Sequence, residues 1–253
     1  MKVSPAFSIV VPAFNEESGL ARALERIVAF IERCGEPAEV IVVDDGSSDR
    51  TPAIAAGAAA RNPEIVRVIR HDPNRGLAAG IRSGAEAARA PIVVVLDADL
   101  SYAPETIPPM LAALREGGAA IAMASPYMRG GQVSHVPLDR LIASRGANLI
   151  LSACTFGRLK TFTGMVRAYR VEVLRDYAGR TRAGEFNSWL VAEALRDGYR
   201  ILEVPAHLNW PPERYEAAPR IGTSKLITRA LAVLRTARIL LAVSVRGVSL
   251  RGR

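Results

Sequence analysis

Residues 92–99 read Ile-Val-Val-Val-Leu-Asp-Ala-Asp, an apolar run that ends in two carboxylates one residue apart. A short apolar run of this kind reads as a strand buried in a sheet. Side chains two apart in an extended chain point the same way, so Asp97 and Asp99 share a side. Like charges that close repel, and each raises the other's pKa unless a cation lies between them. Oxygen ligands suit Mg2+ or Mn2+, which keep several waters and take further ligands from substrate phosphates. The same residues also read as a polar loop before a helix, because Pro104-Glu105 looks like a helix start.

Upstream, the pattern repeats. Phe7–Val11, Glu39–Val43 and Ile65–Arg70 read as strands, and helices are predicted from about Gly19 to Arg33 (Ser18 as its cap), over Thr51–Arg61 and over Leu77–Arg89. Alternating β and α elements predict an α/β fold, a mostly parallel sheet with helices on both faces. Ligands in such sheets bind beyond the carboxyl ends of the strands. Polar clusters sit at three of those ends: Pro12-Ala13-Phe14-Asn15-Glu16-Glu17, Asp44-Asp45-Gly46-Ser47-Ser48-Asp49, and Asp97-Ala98-Asp99. The first two also read as turns and helix caps. No GxxxxGK[ST], no GxGxxG after the first strand and no GxSxG occurs, which speaks against a P-loop, a Rossmann dinucleotide site and a serine hydrolase. Gly76, Gly80 and Gly84, spaced by four, point to close helix packing.

The second half is less regular. Strands are expected at Ala119–Ala124, Val166–Tyr169 and Tyr199–Val204, helices over Leu138–Ala153 and Phe186–Asp197, and a loop over Pro205–Pro219. His207-Leu208-Asn209-Trp210 falls in that loop, with Trp210 read as packing or sugar stacking. The three histidines show no metal-ligand spacing.

Charge divides the chain. Residues 1–126 carry 12 Lys/Arg against 16 Asp/Glu, a net of −4, and residues 127–253 carry 21 against 9, a net of +12. An acidic half suits a metal, and a basic half suits phosphates or an anionic membrane surface. Nucleic acid is not expected, since no helix-turn-helix, zinc-finger or RNP-type pattern is present. Two cysteines, Cys34 and Cys154, fit a reducing cytoplasm. Neither a signal peptide nor a run of about 18 apolar residues is seen. From Lys225 onward there is no acidic residue, and the tail reads as an amphipathic helix. Leu226, Val233, Leu234, Leu240, Leu241 and Val248 lie on one side, and Lys225, Arg229, Arg235, Arg238 and Arg246 on the other, with Leu231, Ile239 and Val243 breaking the pattern. Such a helix lies on a membrane or packs on its own domain. The expected division is therefore 1–222 as the catalytic domain and 223–253 as a basic C-terminal helix.

In order, VPAFNEE (11–17), VIVVDDGSSDRT (40–51), NRGLAAGIRSGAEAA (74–88) and IVVVLDADLSYAPE (92–105) resemble the family 2 glycosyltransferases of GT-A fold. Within that family they are most similar to the dolichol- and polyprenyl-phosphate sugar synthases. The resemblance covers roughly residues 6–210. It implies that Pro12, Ala13, Asn15 and Glu16 line a nucleotide pocket, and that Asp44 and Asp45 hold base and ribose. It also implies that Asp97, Ala98 and Asp99 hold the donor diphosphate, with Mg2+ or Mn2+ on the two acids. Arg140, Arg145, Arg167, Arg220 and Lys225 are implied as phosphate or acceptor ligands. Ser101 stands where relatives often carry Gln, Pro126 where they carry Arg, Lys160 where an acid is usual, and Trp189 where a Glu is common.

The expected function is a metal-dependent inverting transfer of a hexose from a GDP- or UDP-sugar to a polyprenyl phosphate, peripheral at the inner membrane face. A cation and Arg or Lys side chains would stabilise the leaving diphosphate. An ionised phosphate acceptor needs no base. A soluble or glycan hydroxyl would need one, with Glu185 as the candidate, although Glu185 also reads as a helix-start acid. A nucleotide-sugar-binding protein with lost activity is the third reading, drawn from Ser101, Lys160 and Trp189.

Overall fold

A computed structural model describes residues 4–178, 180, 186–210 and 222–245. Its centre is a seven-stranded sheet. The strands are β1 (Phe7–Ala13), β2 (Ala38–Asp44), β3 (Val66–Arg70), β4 (Ile92–Val95), β5 (Ile121–Ser125), β7 (Arg167–Arg170) and β8 (Ile201–Pro205). Their order is β3-β2-β1-β4-β7-β5-β8. All pairs are parallel except those of β7, which runs antiparallel to both β4 and β5. The α/β, mostly parallel sheet expected from the sequence is present, and the antiparallel insertion is what periodicity did not reveal.

Every residue of β1 and β4 is buried because both faces of the sheet are covered. Alternate side chains serve opposite cores. Ile9, Val11, Val42 and Val94 pack with α1 (Leu20–Cys34), α2 (Thr51–Arg61) and α4 (Ile107–Arg115), while Val10, Ile41, Val43 and Val95 pack with α3 (Leu77–Ala87), α6 (Val171–Ala178) and α7 (Phe186–Arg196). α1 starts on Gly19 rather than on a Ser18 cap, its first amides bonding the Glu16 carbonyl instead. A turn of 3-10 helix, Pro104–Thr106, precedes α4.

Two short strands, β6 (Gln132–Ser134) and β9 (His207–Asn209), form a separate parallel pair. The latter occupies the start of the expected loop, and the amide of Asn209 donates to Ser101 O at 2.8 Å, tying β9 to the segment after β4. α5 (Leu138–Cys154) follows β6.

The last helix, α8 (Thr223–Val245), packs on α5 and α7. Thr236, Leu240 and Val243 are buried, with the hydroxyls of Ser188 and Thr236 3.3 Å apart, whereas Leu226, Leu231, Leu234 and Leu241 are exposed. The apolar side read from the sequence is divided, with Leu240 inward and Leu226, Leu234 and Leu241 outward, and Val248 lies outside the described residues. Among the described residues no helix is long and apolar enough to cross a membrane.

Of the three spaced glycines, Gly84 bears the closest approach. A Cβ there would collide with the side chain of Val10, while one at Gly80 would sit 3.6 Å from Pro12 Cβ, an ordinary contact. Gly84→Ala should therefore lose about 1–3 kcal/mol, and Gly80→Ala should be neutral or gain up to about 1 kcal/mol. Urea unfolding of the two variants side by side measures the contrast.

Candidate active site

The chain lays β2 and β3 to one side of β1, then returns to place β4 on the other. Strand order reverses there, and the loops after β1 and β4 diverge to leave a crevice at the carboxyl edge. β1 is registered Ala13 to Asp44 and Val10 to Val95, so the three polar clusters share that edge.

The first two clusters are fastened to each other. The amide of Asn15, a residue at φ 54°, donates to Ser47 Oγ at 3.0 Å, and Ser48 N returns a bond to Asn15 Oδ1 at 2.9 Å. Glu16 N donates to Thr51 Oγ1 at 2.8 Å. Asp44 is fully buried, with Oδ1 accepting from Ser47 N at 3.1 Å. Its Oδ2 has no hydrogen-bond partner among the described residues and lies 3.5 Å from Arg70 Nε.

Asp45 is differently employed. Its carboxylate accepts from the His71 ring (2.7 Å), Arg75 N (2.9 Å) and Gly76 N (2.7 Å), and the other ring nitrogen of His71 meets Ser83 Oγ at 2.8 Å. Burial alone would push this carboxyl up, but the His71, Arg75 and Gly76 bonds outweigh it and hold the pKa below the ordinary value. The stability this confers is present above that ordinary value and is lost as pH falls through the lowered one. Gly46 completes the turn at φ 74°, with no room for a Cβ against the Asn74 backbone.

Asp97 and Asp99 line one cavity of about 360 Å³, with Ser101, Tyr102, Tyr127 and Thr163 among its other walls. Leu96 N donates to Val10 O at 3.0 Å, and Leu100 turns the chain at φ 52°. Ser101 donates to Asp99 Oδ1 from both its amide (2.9 Å) and its hydroxyl (2.8 Å), so it positions the acid rather than standing in as a ligand. Burial first, and then the Asp97 carboxylate, push the Tyr102 hydroxyl up, keeping it a proton-bearing donor.

Among the described residues no set of three His, Cys, Asp or Glu could hold a metal. The fit is to a hard cation on two carboxylates whose other ligands are phosphate oxygens and water. The far wall is built by hydrogen bonds. Asn148 on α5 accepts from Phe162 N (2.6 Å) and Thr163 N (3.2 Å), and Glu203 accepts from Lys160 N (2.8 Å) and Thr161 N (2.7 Å).

A second cavity of about 790 Å³, walled largely by apolar side chains of α5, α7 and α8 and by Arg75–Ala78, adjoins the first. Tyr127, Ser144, Thr163, Leu208, Trp210 and Arg229 belong to both.

The sequence profile of glycosyl transferase family 2 matches residues 8–178. The chain belongs to glycosyltransferase family 2. It is 32% identical over 208 residues to the polyprenol monophosphomannose synthase of Mycolicibacterium smegmatis, covering 78% of this chain and 75% of that protein. It is 36% identical over 143 residues to the dolichol-phosphate mannosyltransferase of Pyrococcus furiosus, covering 56% of this chain but only 39% of that longer protein. An undecaprenyl-phosphate 4-deoxy-4-formamido-L-arabinose transferase of Edwardsiella ictaluri is 30% identical over 223 residues, 87% of this chain and 64% of its own length. Glucosyl-3-phosphoglycerate synthase of Mycobacterium tuberculosis has the same GT-A fold, with a TM-score of 0.68 at 20% identity over 94% of this chain and 81% of that one. A structure of that enzyme with Mn2+, UDP and glucosyl-3-phosphoglycerate gives a TM-score of 0.65 at 18% identity, covering 92% and 80%.

Within this family 2 chain, the site residues read from the sequence separate. Asp97 and Asp99 converge on a cavity, and Arg140 lines the larger one with its guanidinium 5.1 Å from the centre of the Trp210 ring. Pro12, Ala13 and Ala98 are buried, so only their backbone is left to meet a ligand. Most of the accepting capacity of Asp45 organises the Arg75–Gly76 loop, and Asp44 is fully buried with its Oδ2 paired to Arg70. Arg145 is exposed and walls neither cavity.

Arg167 is a correction. It is 1% exposed, and its guanidinium donates to Phe162 O and Asn187 O, each at 2.6 Å, which makes it a brace and not a phosphate ligand. Glu185 and Arg220, and the side chain of Lys225, lie outside the described residues.

Ser144, Leu208 and Arg229 are site residues that the sequence did not single out. The four-residue spacing of Arg140, Ser144 and Asn148 on α5 was the available signal. For Leu208 there was none, because a three-residue parallel pair places it.

His71→Ala removes a buried bond on each side of the ring. It should cost about 1–3 kcal/mol, read as a lowered urea midpoint, whereas Arg145→Ala should leave the midpoint unchanged.

Proposed function

We propose that this chain transfers a hexose from a GDP- or UDP-sugar to a polyprenyl phosphate at a membrane surface, inverting the anomeric carbon. The observation that carries the reading is the pair of adjoining cavities, an acid-lined one of about 360 Å³ beside a mainly apolar one of about 790 Å³. A nucleotide diphosphate suits the first, and a lipid phosphate with its first isoprene units suits the second. The names of the matching relatives, a dolichol-phosphate, a polyprenol-phosphate and an undecaprenyl-phosphate transferase, fall in the same class.

Asp97 and Asp99 would hold Mg2+ or Mn2+, which when bound supplies charge stabilisation to the leaving diphosphate. Ser101 keeps Asp99 oriented, and Tyr102, which lines the same cavity, keeps its hydroxyl proton. A phosphate oxygen of the acceptor attacks C1 of the sugar, and the C1–O bond to the diphosphate breaks with its electron pair leaving on the nucleotide. The acceptor is ionised near neutral pH, so no proton moves and no general base is required. The absence of an acid at Lys160 and Trp189 is then no obstacle.

The membrane surface is supported by a row on the outer side of α5. Leu138, Ile142 and Leu149 are exposed at helical spacing with Arg145 among them, and Phe156 follows the helix, 78% exposed. Apolar and cationic side chains in one stripe suit an anionic lipid interface.

Asp99→Ala should leave the melting temperature near that of the wild type. Transfer should fall by about two to three orders of magnitude or more, and Mn2+-dependent nucleotide binding should be lost. Undiminished turnover would remove the site. Ile142→Glu with Leu149→Glu should abolish sedimentation with anionic vesicles while a short-chain, detergent-soluble polyprenyl phosphate is still glycosylated. Equal vesicle binding by that variant would end the membrane assignment.

A further inference from the structure

We infer that Arg229 on α8 binds the phosphate of the acceptor, so that the C-terminal helix is part of the active site and not only an appendage. The inference rests on the proposed reading of the two cavities and names a residue that completes them.

Four observations lead to it. Arg229 is exposed, in the first turns of α8, but it lies on the same side of the helix as Ala232, Thr236 and Val243, three, seven and fourteen residues on, which are all buried. Its guanidinium thus continues the packed side of the helix at the end where the helix leaves the core. There Arg229 walls both cavities, and among the described residues it is the one Lys or Arg lining the cavity that holds Asp97 and Asp99. No hydrogen bond or ion pair of Arg229 is found among the described residues. Arg167, the other arginine expected near this spot, is already spent on two carbonyls.

A cation between an acid pair and an apolar chamber has a defined use. The acid pair with its metal sets where the donor diphosphate lies. The apolar chamber sets where a hydrocarbon tail lies. The junction is left for the head of the acceptor, and its walls are Tyr127, Ser144, Thr163, Trp210 and Arg229, with Arg140 stacked on the indole. A guanidinium binds a phosphate through a planar pair of donors and neutralises its charge. That charge would otherwise repel the incoming donor diphosphate. Arg229 takes no proton and forms no bond to the sugar; it places the attacking oxygen.

The phosphate at this position could instead be that of the donor, and the test separates the two. Arg229→Gln and Arg229→Lys are compared with the wild type, each first checked for an unchanged melting temperature. Acceptor KM is measured with a short-chain polyprenyl phosphate, and donor affinity by calorimetry with UDP or GDP and Mn2+ in the absence of acceptor. The Gln variant should raise the acceptor KM by about tenfold or more and leave the nucleotide Kd within about twofold, and the Lys variant should recover part of the loss.

A weakened nucleotide Kd with an unaltered acceptor KM would give the residue to the donor and overturn the inference, as would no change in either constant. If the wild type transfers sugar only to an unphosphorylated acceptor, the reading of function fails and the inference fails with it. If the wild type uses polyprenyl phosphate and the Gln variant uses it equally well, the inference alone fails.

Discussion

Two carboxylates held within one cavity at the end of a buried strand are the constraint on which the rest depends. β4 lies between β1 and β7 and cannot shift without breaking both ladders. Its exit is fixed further by the Leu96 amide on Val10 O and by the twin bonds of Ser101 to Asp99. The acids share their cavity with Tyr102, Met165 and Leu208. Two carboxylates so placed suit a hard divalent ion whose remaining ligands are phosphate oxygens and water.

The surroundings hold the crevice beside the acids in shape. The loops after β1 and β2 are bonded side chain to backbone across Asn15, Ser47, Ser48 and Thr51, which closes that end of the crevice into a fixed floor. On the other side, the antiparallel β7 delivers residues 161–165 against the acids, and Arg167 at its start pins that segment to Phe162 and Asn187. Thr161, Thr163, Gly164 and Met165 thereby become one wall of the cavity that holds the two acids.

The first half of the chain was legible because local and global signals agree there. Buried parallel strands are uninterrupted apolar runs, and their polar ends stand where ligands bind, so the strands and the acid pair could be read within a residue or two. The second half hides its signals. The strand expected at Val166–Tyr169 is present as Arg167–Arg170, but nothing in Arg-Ala-Tyr-Arg marks it as antiparallel: β7 meets the two cores through Ala168 and Tyr169, while its arginines serve as braces at either end. The strand containing Leu208 is three residues long, and only its partner Gln132–Ser134, seventy-five residues away, makes it a strand at all. The C-terminal helix left two readings open for a different reason. A helix clad in Leu, Ile and Val on two sides gives a wheel with one broad apolar arc, and the wheel does not say which part of that arc meets protein.

Charge was the most deceptive signal, and its distribution shows why. The excess of Lys and Arg beyond residue 126 invites a count of phosphate ligands, but several of these arginines are consumed by the fold. Arg170 donates to Ala119 O and Leu114 O, at the carboxyl end of α4, and Arg175 donates to Ala85 O and Ala88 O, at the end of α3. Helix carboxyl ends carry unsatisfied carbonyls and partial negative charge, and a guanidinium answers both at once. Arg167 does the same for two loop carbonyls. Such residues add to the formal charge yet offer nothing to a ligand. What distinguishes Arg140 and Arg229 is not their charge but that each faces a cavity, one stacked on an aromatic ring and the other carried on the inward side of a packed helix. Formal charge therefore says less about a site than where the fold places each guanidinium.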